Sequence, residues 1–273
     1  MNALNRRQRT RLLLLAAGAV LLAVTLAGML CRERAMETDF SRVNLAPGLS
    51  CLFGTDWMGR DMLARTLAGL SLSIRIGALT ACVSAAIALA LGVVSALSRA
   101  ADALLSWLMD LFLGIPHILL VMLISLAFGR GFVGVAAGVS LSHWPSLARV
   151  IRGEVLQLRQ AVYVQTARKL GVSRLRVVRR HLLPHLLPQV LTGLILQFPH
   201  AILHEASVTF LGFGLSSEQP AIGVILSESM RYLTTGRWWL ALFPGLALVG
   251  VVLLFAAVGE HLRRLLSPSS AHQ

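Results

Sequence analysis

The sequence predicts an all-α, polytopic membrane protein with about six transmembrane helices. Two observations carry that expectation. Of its 273 residues, 56% are hydrophobic and only 14% are charged, with a mean hydropathy of +0.74, whereas a soluble domain usually carries about 25% charged residues. The apolar residues also fall into six long runs, and a span needs roughly 20 of them to cross about 30 Å of hydrocarbon. Six runs use up the chain, leaving no room for a separate soluble domain.

The first run, 12–31, follows Arg6, Arg7, Arg9 and Arg11, as the core of a signal peptide would. Its 20 uncharged residues are long for such a core and lack a small-x-small end. Leu30 before Cys31 is too large for lipoprotein cleavage, so the run reads as a retained first span. An external segment, 32–72, follows. Cys31 and Cys51 fall in or beside it, where pairing and free thiols are both open, while Cys82 stands apart. No CxxC spacing supports a metal knuckle or redox motif.

The remaining runs are 73–98, 104–128, 131–151, 186–214 and 238–261. Hydrocarbon offers backbone amides no partner, so each run is expected to be a helix. Pro116, Pro145, Pro199 and Pro244 interrupt four of them. They mark either packing around an interior path or ordinary kinks. The organisation expected is an N-terminus at 1–11, a first helix at 12–31, the external segment at 32–72, a five-helix core at 73–265 and a tail at 266–273.

Orientation follows from Lys and Arg in the connections. With the N-terminus inside, 16 face the cytosol and 8 the outside, Arg75 lying at a boundary. That bias predicts both termini in the cytosol. The formal net charge of +13 suits anionic lipid headgroups and a cytosolic partner. Nucleic acid is not expected, because the basic residues lack interleaved aromatics.

The largest inner connection, 152–185, is basic. Residues 161–170 have helix-forming composition ended by Gly171, a helix stop. A second helical piece, 173–183, opens on Ser173 as a candidate N-cap and is expected to end before Pro184. The pair reads as a docking knob on the cytosolic face or as a solvated basic loop held to lipid. No GxxxxGK[ST] motif occurs, and Lys169 is the only lysine, so the chain has no phosphate-binding lysine loop of its own.

Val164-Gln165-Thr166-Ala167-Arg168-Lys169-Leu170-Gly171, followed by His181-Leu182-Leu183-Pro184, resembles the EAA loop of ABC importer permeases. Gln165 and Thr166 depart from the Glu and first Ala of that pattern. Phe53-Gly54-Thr55-Asp56-Trp57-Met58-Gly59-Arg60-Asp61 resembles the GTDxxGRD block of the dipeptide, oligopeptide and nickel group. Phe210-Leu211-Gly212-Phe213-Gly214 resembles its FLGxG block. Trp239 to Gly245 and the stretch from Gly259 to Pro268 resemble its last span and C-terminal end.

The resemblance implies a membrane permease subunit, the C-type member of a heterodimer with a second, related permease. It would work with two ATP-binding subunits and an external solute-binding protein, in the bacterial inner membrane. No cofactor is expected on this chain, since ATP and Mg2+ belong to the partners. Coupling to them is expected through Tyr163, Gln165, Thr166, Ala167, Leu170, Gly171, Val172 and Ser173, which makes 152–185 a coupling-helix loop.

Ser142-His143-Trp144, His200 and His204 resemble the nickel-type permease. The cargo expected is therefore nickel or another chelated transition metal, with di- or oligopeptides as the alternative. His200 and His204 share a helix face with Gln197 one turn earlier, and neutral imidazole suits Ni2+. The candidate pathway residues are Gln197, His200, His204, His117 and His143, with transient metal contact at His200 and His204. A hydrogen-bonded pair across the dimer interface explains the same two histidines. Glu205 is expected to be paired or protonated, and Asp110 to be a satisfied structural acid. A zinc enzyme is disfavoured because the HExxH order is missing, and a secondary carrier because no inverted repeat is evident.

Overall fold

The computed structural model describes residues 6–95 and 98–266. The expected cytosolic tip at 1–5, the end of the second apolar run at 96–97 and the tail from 267, with Pro268, lie outside the described residues. The described chain consists of α1 (Arg6–Leu30), α2 (Met62–Val94), α3 (Arg99–Gly114), α4 (His117–Ala127), α5 (Phe132–Gln160), α6 (Val162–Lys169), α7 (Arg174–Val177), α8 (Leu183–Phe210), α9 (Ile222–Leu233) and α10 (Trp239–Leu266). Among the described residues there is no strand, only two isolated bridges in the 48–61 loop.

Four helical runs are long and apolar enough to cross a membrane: 10–30, Met62–Val94, Arg174–Phe210 and 239–263. The pair α3 and α4 qualifies jointly, bent by 99° at its break. Pro116, expected inside one straight span, sits at that break as the N-cap of α4. The fourth expected span corresponds to α5, which is 29 residues long but falls outside that apolar set. Ser140, Ser142, His143 and Pro145 dilute its centre, and Arg149, Arg152 and Glu154 follow. Neighbouring helices compensate: α5 packs on α2, α4 and α8 and buries Val135, Val139, Trp144, Leu147 and Ile151.

Several boundaries differ from the expected ones; α5, for one, runs on to Gln160, inside the connection expected at 152–185. The second span begins at Met62, well inside the segment expected to be external, because Asp61 caps it by accepting the Leu63 and Ala64 amides at 2.9 and 3.4 Å. The helical piece before Pro184 does not stop there. A wide turn at Val178–Leu182 leads straight into α8, with Pro184 in its first turn. A proline is tolerated there because its missing N–H and ring demand slack in the ladder, which a π-type turn supplies.

Helix α2 is the central post, packed on α1, α5 and α8, while α10 closes the far side against α8, α9 and α1. Around the end of the bundle that carries α6, Trp144, Leu147, Ile151, Val155, Val164 and Leu182 form one core. At the opposite end Met62, Ile202, Ile222, Ile225 and Leu240 form another. There, too, Asp39 caps a short turn at Phe40–Arg42. Its carboxylate accepts from the Ser41 hydroxyl and amide, which holds that carboxyl below the usual range. The three cysteines are free.

Candidate functional site

Three constructions stand out, two at opposite ends of the bundle and one between them. The first is the loop at α6 and α7. Helix α6 is amphipathic: Val164 points inward and is fully buried among Val155, Leu158, Val177 and Leu182. Val162 and Tyr163 on α6 point outward, as do Leu170 just after it and Leu175 on α7, the two leucines 79% and 74% exposed. Gly171 ends the helix with φ of +79°, donating its N–H to the Arg168 carbonyl while Val172 donates to Ala167, both at 3.1 Å. This doubly bonded stop requires a left-handed residue. Of the expected coupling residues, Gln165, Thr166 and Ser173 are exposed and Ala167 and Val172 half-buried. The Gln165 amide is turned back onto the Gln160 carbonyl at 3.1 Å, and Tyr163 packs its ring against His181 at 5.8 Å. Ser173 stands at the N-cap of α7 but makes no side-chain capping bond.

The second construction ties the 54–61 loop to α9. Asp56 accepts the Met58 and Arg60 amides through Oδ1. Through Oδ2 it accepts Arg60 Nε at 2.7 Å and Arg65 Nη1 at 2.5 Å. Arg65, only 1% exposed, reaches on to Glu228 on α9 at 3.1 Å. Trp57 stacks on Tyr232 of α9 at 5.0 Å, with the Arg60 guanidinium over its ring. Gly59 is required on two counts: φ is +74°, and a Cβ there would stand 1.8 Å from the Asp39 carbonyl oxygen. The GTD block is thus a rivet. Beside it opens a cavity of about 630 Å³, lined by Trp57, Arg130, Glu228, Arg231 and Tyr232 among others. Arg130 lies over the Phe213 ring.

The third construction lies inside the bundle, where His117 at the start of α4, His143 on α5 and His204 on α8 bring three half-buried imidazoles together. Their ring centroids are 4.3 to 5.1 Å apart, each pair meeting edge to face. Gln197 belongs to the same neighbourhood, donating to the His143 carbonyl at 3.3 Å. His200, one turn before His204, is exposed instead. The pair expected to touch metal together, His200 and His204, is therefore divided. His204 turns to His117 and His143, a grouping across three helices that sequence spacing does not reveal.

The acids stand apart from these rings. Glu205 is fully buried and accepts from the Ser73 and Thr209 hydroxyls at 2.6 and 3.1 Å. Asp110 is paired with Arg149 at 2.6 Å on an exposed surface. A second, bidentate pair joins residues 50 apart, which spacing does not reveal: Arg152 donates to both oxygens of Asp102, at 2.5 and 2.8 Å.

Comparison with known proteins gives consistent findings. The model of the family described as binding-protein-dependent transport system inner membrane component matches residues 88–271. The chain is 36% identical over 265 residues to a Brucella suis protein provisionally named a peptide transport system permease, covering 97% of this chain and 89% of that one. It is 30% identical over 257 residues to the dipeptide transport system permease protein DppC of Alkalihalophilus pseudofirmus, covering 94% and 84%. Its fold is similar to that of a chain in an inward-facing structure of the MetNI methionine ABC transporter, with a TM-score of 0.62 over 76% of this chain and 98% of that chain, at 19% identity.

Proposed function

Because the chain belongs to the family of binding-protein-dependent transport system inner membrane components, an ABC importer permease by descent, we propose that it forms half of a peptide translocation path. In this reading its partner is a second permease, and the loop around α6 is where an ATP-binding subunit takes hold. ATP-driven closure of two such subunits moves the loop, and the bundle alternates between outward and inward openings. A loaded solute-binding protein docks at the opposite end, on the 32–61 loop and α9. Both termini then face the cytosol of a bacterium, and ATP and Mg2+ stay on the partners.

One observation carries the coupling role: the α6–α7 loop buries Val164 into the bundle and leaves Val162 and Tyr163 on α6, Leu170 at its end and Leu175 on α7 exposed. Burying a leucine is worth about 1.5–3 kcal/mol, and these residues stand beyond the end of the apolar bundle, where a protein partner can collect that energy. The loop is thus anchored to the permease through one face and offers a second face to a partner.

For cargo, the relatives' names favour peptides over nickel. The cavity beside the GTD rivet agrees in kind, since Arg130 and Arg231 offer guanidinium groups suited to a peptide's terminal carboxylate. The test is uptake of a labelled dipeptide by proteoliposomes containing this chain with its permease, ATP-binding and solute-binding partners. ATP-dependent accumulation is expected; accumulation of nickel without any dipeptide uptake would return the cargo to the metal alternative.

A further inference from the structure

We propose that His117, His143 and His204 together form a binding site for a divalent first-row transition metal ion of the Zn2+, Ni2+ or Cu2+ class. The ring nitrogens available as ligands, one from each residue, all lie within 4.8 Å of one another. His117 Nε2 and His143 Nε2 are 3.4 Å apart. Two imidazoles on one tetrahedral ion, each at about 2.0–2.1 Å from it, place their nitrogens roughly 3.3–3.4 Å apart. That pair therefore already has the spacing an ion demands, and only the His204 ring has to close in.

The protonation of His143 fits the same role. Its Nδ1 lies 2.8 Å from the Val139 carbonyl oxygen, which can only accept, so Nδ1 carries the hydrogen and Nε2 presents a bare lone pair toward His117. Fixing a ring's tautomer and direction through a backbone carbonyl is how proteins commonly orient a ligating histidine.

The surroundings select the class of ion. Three imidazoles and no carboxylate are a borderline nitrogen set, suited to Zn2+, Cu2+ or Ni2+ and unsuited to Ca2+ or Mg2+. The adjacent acid, Glu205, is committed to Ser73 and Thr209. His117 stands ten residues before the end of α4, His143 eleven after the start of α5 and His204 six before the end of α8. At 1.5 Å per residue the rings sit ~9–16 Å inside the bundle. Three protein ligands leave at least one coordination position open, and all three rings are only half-buried, so the ion remains reachable by a further ligand.

Metal binding by the assembled importer, stripped with chelator and freed of purification histidines, tests this with Co2+ as an optical probe. One Co2+ per chain is expected, with the visible bands of a low-coordinate nitrogen site. H117Q, H143Q and H204Q should each weaken it at least about 10-fold, the loss that even outer partners of a ligand cause; H185Q, at an exposed histidine near the start of α8, should leave it unchanged. Ni2+-loaded wild type, read by X-ray absorption, should show three imidazole ligands whether or not the variants fold. No Co2+ binding at micromolar concentration, fewer than three imidazoles, or loss of the site in H185Q would overturn the assignment. Dipeptide uptake is scored separately: bound metal without dipeptide uptake would refute the peptide reading and leave this site standing, and the reverse would refute the site alone.

Discussion

Replacing Gly171 by alanine and by valine isolates the loop's contribution, because the structure separates conformation from packing at this position. A Cβ added there meets nothing within 4 Å, but φ is +79°. The cost is therefore purely that of holding an L residue in the left-handed region, roughly 1–2 kcal/mol for alanine and more for β-branched valine. At about 1.4 kcal/mol per tenfold, alanine shifts the balance of intact against unwound loop by roughly 5–30-fold. Gly153 on α5 supplies the control, since its added Cβ also finds open space but its backbone is helical. There Gly→Ala should stabilise by about 0.5–1 kcal/mol. Asparagine tolerates the left-handed region, so G171N should lie between wild type and G171A. In proteoliposomes holding the assembled importer, peptide uptake per ATP hydrolysed should fall in the order wild type, G171N, G171A, G171V, while G153A matches wild type. Equal coupling in wild type and G171V would refute the claim that the capped loop transmits the motion.

Other expectations follow from the same geometry. Leu170→Asp or Leu175→Asp should reduce co-purification of the ATP-binding subunit roughly 10-fold or more, the equivalent of one leucine's lost burial; undiminished recovery would place the contact elsewhere. Arg65→Gln leaves Glu228 with only Arg60, at 3.7 Å, and breaking such a buried pair costs about 3–5 kcal/mol. Thermal unfolding of the purified complex should shift down clearly, and Arg65→Lys should not restore it, because one ammonium cannot span two carboxylates as a guanidinium does. An unchanged transition would mean that the rivet is not desolvated. A cysteine placed at Arg174, which is exposed, should react with an impermeant reagent only from the cytosolic side; labelling of intact cells from outside would invert the topology.

How much was legible in the sequence depended on how local each cause was. The α6 helix and its stop were readable because the helix-forming composition and Gly171 lie within one short stretch. The start of α2 was not, since Arg65 looks like an exposed charge until its partner Glu228, 163 residues away, is brought against it. Likewise Pro184 reads as a helix boundary, and only the wide turn at Val178–Leu182 shows how the helix continues through it. The run 131–151 marks the first part of α5, but the continuation through Arg152 and Glu154 to Gln160 is too polar to be read as part of a span, and it is the packing of α2, α4 and α8 that covers the helix. The histidines were visible singly, but spacing pairs His200 with His204. Their actual grouping depends on the 99° bend between α3 and α4, which sets His117 beside helices distant in sequence.

The most direct test is photo-crosslinking in whole cells from a reactive residue substituted at Leu170. The account predicts a covalent adduct with the cytosolic ATP-binding subunit, strengthened or weakened as ATP is supplied or withheld. An adduct with the external solute-binding protein, or none with any ATP-binding subunit while the importer remains active, would contradict it.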